Sequence, residues 1–313
     1  AYRTAVVLKH AGLIVPAIID AREISEDSPA MAQAKALGIR VLTGHGVAKV
    51  KGGKRVTGVC ICKQAGEGAV IEEIACDAVA MSGGWSPVVH LWSHCGGKLV
   101  WDARHGHFKP DPEKAPTGAD GRGFVLTAGA ASGRLSLEHV LGDADQAGEL
   151  AAADLGFKVT HVDCPIGETP AEAPMEPVWL MPPGASIELR SKAWLDYQND
   201  VKVSDVQLAA QEGFESVEHA KRYTTLGMAT DQGKLSNING LAILSNALNR
   251  AIPDTGTTTF RPPYTPISMG AIGGEARGEV FQPLRRTPMH DWHAANGADW
   301  EPVGHWRRPY AFV

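Results

Sequence analysis

The stretch from Lys221 to Asn239, KRYTTLGMATDQGKLSNIN, limits the possible folds more than any other part of the chain. It holds few large aliphatic residues for its length, so it cannot serve as a core helix or strand along its whole run. It must either be solvated or be wrapped around something polar. Donors that suit an anion are present: Arg222, Lys234, the hydroxyls of Thr224 and Thr225, and backbone amides flanked by Gly227 and Gly233. The competing reading is a solvated turn between two helices, since loops carry polar residues whether or not they bind anything. The residues alone leave both open.

The chain around this tract has 313 residues, enough for two domains or for pieces of three. Apolar residues make up 44% and charged residues 21%, which is compatible with a real core. The net charge of −5 and an isoelectric point of ≈ 6.2 leave no basic footprint for nucleic acid. No apolar run approaches a membrane span, and no charged-then-apolar leader opens the sequence. Cysteines at 60, 62, 76, 95 and 164 form an odd set, which favours a reducing, cytoplasmic compartment over a disulfide framework. Cys60 and Cys62 fall on one face of the strand-like VTGVCICK. No CxxC pair supplies a metal site, so all five are read as structural.

Read from the start, Ala1–Leu13 is an amphipathic helix with Ala5, Leu8 and Leu13 on its apolar stripe and a stop at Gly12. It runs into VPAIIDAR (15–22), a short buried strand closing in an acid. Helix, strand and terminal acid form the second half of a dinucleotide-binding βαβ unit whose first strand and glycine turn are absent. An excised piece of a longer protein is therefore expected, with residues ahead of Ala1. Asp20 stands where such folds bind ribose hydroxyls; without the glycine fingerprint, a vestigial acid is the favoured reading. Pro29–Leu37 reads as a helix capped by Ser28 and stopped at Gly38. A strand RVLTGHGVAKV, a hairpin turning at Lys51–Gly53 and Gly66–Gly68, and a buried strand Ile74–Met81 follow.

His90 and His94 lie i, i+4 on VVHLWSHC, but no HExxH glutamate accompanies them and Trp92 lies between. A packed interface helix is the expectation. Trp101–Gly121 reads as an exposed loop. Gly123–Leu150 offers an apolar strand, a small-residue turn (128–133) and a helix from about Asp143 to Leu155. Glu168–Pro183 is proline-rich and reads as a linker. Short helices are expected in 194–249, capped by Ser204, by Ser216 and by Asn239 or Gly240. Residues 255–313 look extended, without helical period. MHDWH (289–293) clusters two histidines and an aspartate, and is read as turn structure rather than a base or metal site. No GxSxG or triad context supports nucleophilic catalysis, and no catalytic or metal-binding residue is assigned.

The run VEHAKRYTTLGMATDQGKLSNINGLAIL, with DYQNDVKVSDVQLAAQEGFES before it, resembles the alpha subunits of bacterial heterotetrameric sarcosine oxidases. SGGWSPVVHL (82–91), GTTTFRPPYTPISMGAI (256–272) and RRTPMHDWHAANGADWEPVGHWRRPY (285–310) extend the resemblance over essentially the whole chain. It implies an α/β fold: part of a two-dinucleotide-binding-domain, flavoprotein-like (Rossmann-type) architecture, then a small helical segment and the start of an aminomethyltransferase-like domain. The implied division is an inserted nucleotide-type domain at 1–95, a return to the NAD-binding domain at 96–165, a linker at 166–190, a helical FMN and interface domain at 191–250, and an extended entry to the folate-binding domain at 251–313.

The resemblance also implies the chemistry. Sarcosine loses a hydride to FAD in the beta subunit, electrons pass to FMN at the alpha–beta interface, oxygen becomes hydrogen peroxide, and the one-carbon unit reaches tetrahydrofolate. The partners are the beta, gamma and delta subunits. Carried onto this sequence, 222–234 becomes the alpha-side wall of the FMN site. Arg222 and Lys234 face negative charge there, while Thr224, Thr225 and Gln232 give neutral hydrogen bonds. Ala130, Gly133 and Leu135 become NAD contacts at a strand–turn–helix. The large subunit of N-methylglutamate dehydrogenase shares most of these motifs, and a non-catalytic interface piece is the other alternative. A free-standing pyridine-nucleotide reductase would need a GxGxxG turn that is not visible here.

Overall fold

In the computed structural model, residues 1–24, 27–160, 165, 175–276, 278, 280 and 282–313 are described. The chain divides into two compact units, Ala1–Tyr264 and Thr265–Val313. The first opens with α1 (Tyr2–His10), β1 (Ala17–Asp20), α2 (Pro29–Ala36) and β2 (Arg40–Thr43). β1 and β2 run parallel, with Ile18 opposite Val41. Tyr2, Ala5, Val6, Ile18, Met31, Ala34 and Ile39 bury their side chains together. The α1 stripe is thus Tyr2, Ala5 and Val6; Leu13 lies past the helix end and is exposed, because Gly12 at φ +89° turns the chain away. α2 follows the sequence reading: Ser28 Oγ accepts from Met31 N at 3.3 Å, Pro29 opens the helix, and Gly38 leaves it at φ +73°.

The single strand expected over 40–50 breaks at Gly44 (φ +64°) into β2 and β3 (His45–Gly52), which belong to different sheets. β3, β4 (Val56–Lys63) and β5 (Glu72–Ala75) form an antiparallel meander. β4 buries Cys60, Ile61 and Cys62, the two thiols sharing one face. Cys76 and Cys95 are also free thiols, and Cys164 lies outside the described residues. The buried strand expected over Ile74–Met81 is corrected. Pairing with β4 stops at Ala75, no second strand pairs with the run among the described residues, and Met81 is 79% exposed.

α3 (His90–His94) buries Trp92, whose Nε1 donates to the Lys98 carbonyl at 2.8 Å. The exposed loop expected over Trp101–Gly121 is corrected in its first half, where β6 (Leu99–Asp102) and β7 (His107–Pro110) form a hairpin with Phe108 and His107 buried; 111–121 remains mostly exposed. Trp101 and Phe108 meet edge to face at 5.0 Å across it. The strand expected at the start of 123–150 is absent apart from a bridge between Thr117 and Gly123. The following helix, α4 (Leu137–Asp154), starts earlier than expected and buries none of its residues. Of the proline-rich stretch, 166–174 lies outside the described residues. The remainder is anchored: Gln64 Nε2 donates to Leu180 O at 2.9 Å, and Met175 N to Arg104 O at 2.7 Å.

The second core of this unit is helical. After α5 (Ile187–Arg190), a small hairpin of β8 (Trp194–Asp196) and β9 (Val201–Lys202) leads into α6 (Val203–Gln211), α7 (Val217–Thr224), α8 (Asn237–Ala247) and α9 (Ile252–Thr255). Val203, Val206 and Ala209 of α6 pack with Val217 and Ala220 of α7, Leu226, and Leu241, Ile243 and Leu244 of α8. Each fully buried aliphatic contributes about 1.5–3 kcal/mol. Ser216 occupies the N-cap position of α7 as expected, although its side chain makes no capping hydrogen bond. Ser204 does not cap α6, which begins a residue earlier, where Asp205 Oδ2 accepts from Lys202 N at 2.9 Å. α8 starts at Asn237, so Asn239 and Gly240 lie inside it.

The second unit contains α10 (Met269–Gly273), β10 (Arg285–Arg286), α11 (His290–Ala295), β11 (Ala298–Val303) and β12 (Trp306–Phe312). β12 pairs antiparallel with β11 and parallel with β10. The extended reading of 255–313 holds for β10–β12 and is corrected at α10 and α11: His290–His293 of MHDWH lie in α11, with His290 stacked on Trp300 at 4.3 Å.

Candidate functional site

The tract between α7 and α8 is a tight connection built on left-handed residues. Thr225 (φ 63°), Gly227 (φ 66°), Gln232 (φ 52°) and Gly233 (φ 74°) all lie in that region. Thr224 Oγ1 donates to Ala220 O at 2.8 Å and accepts from Leu226 N at 3.3 Å, closing the end of α7. The connection is pinned to the β8–β9 hairpin. Asp196 Oδ2 accepts from Gly227 N at 2.8 Å, Gln198 Oε1 accepts from Asp231 N, and Gln198 Nε2 donates to Thr230 Oγ1.

The five residues expected to meet a flavin share this segment, but their polar atoms have local partners. Thr225 Oγ1 donates to Thr224 O at 2.6 Å, and Gln232 Nε2 to Ala229 O at 2.8 Å. Lys234 Nζ donates to Tyr264 O at 2.6 Å and sits 4.0 Å from the centre of that ring. Tyr264 continues onto His90, ring centres 4.8 Å apart, and His90 meets His94 at 5.6 Å. Burial, then His94 and Lys234, push the His90 imidazole below its ordinary pKa. Arg222 makes one long contact, to Glu218 at 3.5 Å, with 51% of its side chain exposed. A groove beside Thr224 is lined by Asp200 and Asp205, which disfavour a phosphate at that spot.

The expected dinucleotide turn is a 3-10 segment, Gly129–Ser132, closed by Gly133 at φ +85°. Ala130 is exposed, while Gly133 and Leu135 are half-buried. Gly129 N and Ser132 Oγ both donate to Asp143 Oδ2 of α4. A carboxylate of the chain itself thus takes donors that a phosphate would use. Asp20 is likewise engaged: it accepts from Tyr2 Oη, from Arg22 N and from the Arg22 guanidinium. Burial would raise this carboxyl, but the Arg22 and Tyr2 hydrogen bonds outweigh it and hold the pKa below the usual range.

Sequence reasoning missed one polar cluster. Asp102, His105 and His107 gather at the β6–β7 hairpin, with Lys109 Nζ on Asp102 Oδ2 at 2.8 Å. It lies beside the dinucleotide turn: a Cβ on Gly133 would stand 3.4 Å from His107 Nε2 and 3.2 Å from Lys109 Cδ. The signal available in sequence was the His-x-His spacing, submerged in a stretch that reads as loop.

These elements define a mixed α/β chain whose fold is similar to a crystal structure of L-proline dehydrogenase from P. horikoshii. That structure has a TM-score of 0.58 and 18% identity, over 82% of this chain and 49% of that one. Residues 190–276, which include the whole α6–α8 bundle and its polar connection, match the sarcosine oxidase A3 domain. Along nearly its full length the chain is similar to curated sarcosine oxidase alpha subunits. The Rhizobium meliloti (strain 1021) protein is 38% identical over 98% of this chain, and the Corynebacterium sp. proteins of strains P-1 and U-96 are 38% and 39% identical over 95%. By these matches the chain corresponds to one part of the sarcosine oxidase alpha subunits. It spans 29% to 30% of the length of these relatives.

Proposed function

We propose that this chain supplies the alpha-side wall of an FMN site in a sarcosine-oxidising flavoenzyme complex. In that complex sarcosine is oxidised at FAD in a beta subunit, gamma and delta subunits complete the assembly, and the one-carbon unit passes to tetrahydrofolate. The observation that carries the reading is positional: Arg222, Thr224, Thr225, Gln232 and Lys234 all fall in the one segment that matches the A3 domain, at the end of α7 and on the pinned connection that follows it. Arg222 fits an anionic group, because its guanidinium is half exposed and weakly held. Thr225, Gln232 and Lys234 would meet a ligand with the donor and acceptor capacity that their present partners leave, or by exchanging those partners. FMN would supply the electron transfer, and these residues would bind it, orient it and set its electrostatics.

NAD contacts are proposed for Ala130, Gly133 and Leu135 at the Gly129–Ser132 turn, with Asp143 as the group that must yield to a phosphate. The free thiols of Cys60, Cys62, Cys76 and Cys95 are consistent with a reducing cytoplasm. No helix among the described residues is long and apolar enough to cross a membrane.

The test is Arg222→Ala in the complete complex. FMN retention or reoxidation falls while FAD reduction by sarcosine stays near normal, read from flavin absorbance and stopped-flow traces. Slowed FAD reduction with normal FMN behaviour would assign the residue to the other flavin. A second reading, a non-catalytic interface piece, draws on the local satisfaction of Thr224, Gln232 and Lys234. It predicts that Arg222→Ala leaves both flavins unchanged and weakens only subunit assembly. Comparing sarcosine with N-methylglutamate as donor to the assembled enzyme separates the two related enzyme families.

A further inference from the structure

We propose that Asp102, His105 and His107 bind a divalent transition-metal ion, Zn²⁺ by their chemistry. The β6–β7 register sets Asp102 directly opposite His107. Gly106, at φ +65°, lets the connection fold His105 back over the strand, so that the two imidazoles stack with centres 5.6 Å apart and planes 13° apart. One ligand atom from each of the three residues lies within 4.8 Å of the other two. In a tetrahedral zinc site, with bonds of ~2 Å, ligand atoms stand ~3.3 Å apart, so side-chain rotation suffices to close the set.

His107 is the independent observation. It is 0% exposed, its Nδ1 lies 3.2 Å from the Trp85 carbonyl oxygen, and its buried Nε2 has no hydrogen-bond partner. A carbonyl oxygen only accepts, so the proton belongs on Nδ1 and Nε2 presents a bare lone pair. An N–H anchored on a backbone carbonyl is the outer-shell arrangement that orients a metal-binding imidazole. Leaving a buried acceptor unpaired is unfavourable, and coordination to a cation removes that cost. Two nitrogens and a carboxylate oxygen form a borderline donor set suited to Zn²⁺ or Co²⁺, with a fourth position free for water.

Lys109 holds the place of the ion. Its ammonium rests on Asp102 Oδ2, yet the side chain is 37% exposed and can swing into water when a metal arrives. Metal and Lys109 therefore compete for the same oxygen. Coordination would also stiffen the hairpin beneath Gly133.

The experiment is Co²⁺ titration of the chelator-stripped full chain, followed by visible absorption and then displacement by Zn²⁺, with folding checked by circular dichroism. The expected result is saturable binding of one ion per chain. His107→Gln and Asp102→Asn should each weaken it by about tenfold or more, while Lys109→Met tightens it by removing the competitor. Absence of a saturable band in the wild type would overturn the site. So would binding untouched by Asp102→Asn and by Lys109→Met, or binding abolished instead by His90→Gln. Should His107→Gln fail to fold, the Asp102→Asn and Lys109→Met pair still decides the matter, because a merely structural Lys109 gives no gain in affinity.

Discussion

Asp196 Oδ2 accepts the backbone N–H of Gly227 at 2.8 Å, joining residues 31 positions apart in a place where water is excluded. The same carboxylate accepts from Gln198 N at 2.9 Å and Asn199 N at 3.1 Å through Oδ1, and Asp196 is 3% exposed. One side chain therefore shapes the β8–β9 turn and positions the polar connection between α7 and α8. Asp196→Ala should cost about 3 kcal/mol, since several buried donors lose a charged acceptor at once. Asp196→Asn keeps one acceptor oxygen and costs less. Urea denaturation followed by circular dichroism ranks the two; equal losses would show that charge and acceptor count are unimportant here.

Gly233 and Gly213 separate backbone strain from steric clash. Both have positive φ, +74° and +90°. A Cβ on Gly233 would lie 2.1 Å from Asn237 Oδ1, whereas one on Gly213 meets nothing within 4 Å. Gly213→Ala should cost about 1 kcal/mol from conformation alone. Gly233→Ala should cost clearly more and disturb the start of α8. Thermal melts of the two variants measure the difference.

The Asp20 pairing predicts an acid-sensitive element. Its folded pKa is depressed, so the stabilisation is complete above the unfolded value of about 3.9 and is lost as pH falls through the folded value. Asp20→Asn should lose about 2 kcal/mol at neutral pH, because hydrogen bonds to a charged group are the stronger kind. It should also show a shallower decline in stability below about pH 4. Denaturation midpoints at pH 7 and below pH 4 test both parts.

Leu244 is 1% exposed within the α6–α8 core, while Leu235 in the neighbouring connection is 74% exposed. Leu244→Ala should destabilise by about 2–5 kcal/mol. Leu235→Ala should stay within about 0.5 kcal/mol, unless a partner covers that leucine in the assembled complex. In that case its effect appears in subunit association and not in the melt of the isolated chain.

Signals confined to one turn of chain were legible in the residues. Ser28, Pro29 and Gly38 bounded α2, Ser216 marked α7, and the alternation in VTGVCICK placed Cys60 and Cys62 on one buried face. These features depend on neighbours within a few positions, which sequence states directly. The stretches 74–81 and 101–110 were misread because strand burial and pairing depend on partners that local pattern does not name. The MHDWH helix escaped notice because α11 is too short to establish a period.

The polar connection shows the same division. Its composition by itself determined that 221–239 could not be core along its whole run and had to satisfy cations, hydroxyls and amides in some polar setting. Only the tertiary structure decided which groups do so: Lys234 lies on Tyr264, Thr224 on Ala220, Gly227 on Asp196, and Arg222 remains loosely held. It likewise brought Asp102, His105 and His107 together across a hairpin. A hydrogen bond or a ligand set is specified by positions in space, and the chain reaches those positions only after burial of its apolar residues has fixed the strand register and the helix packing.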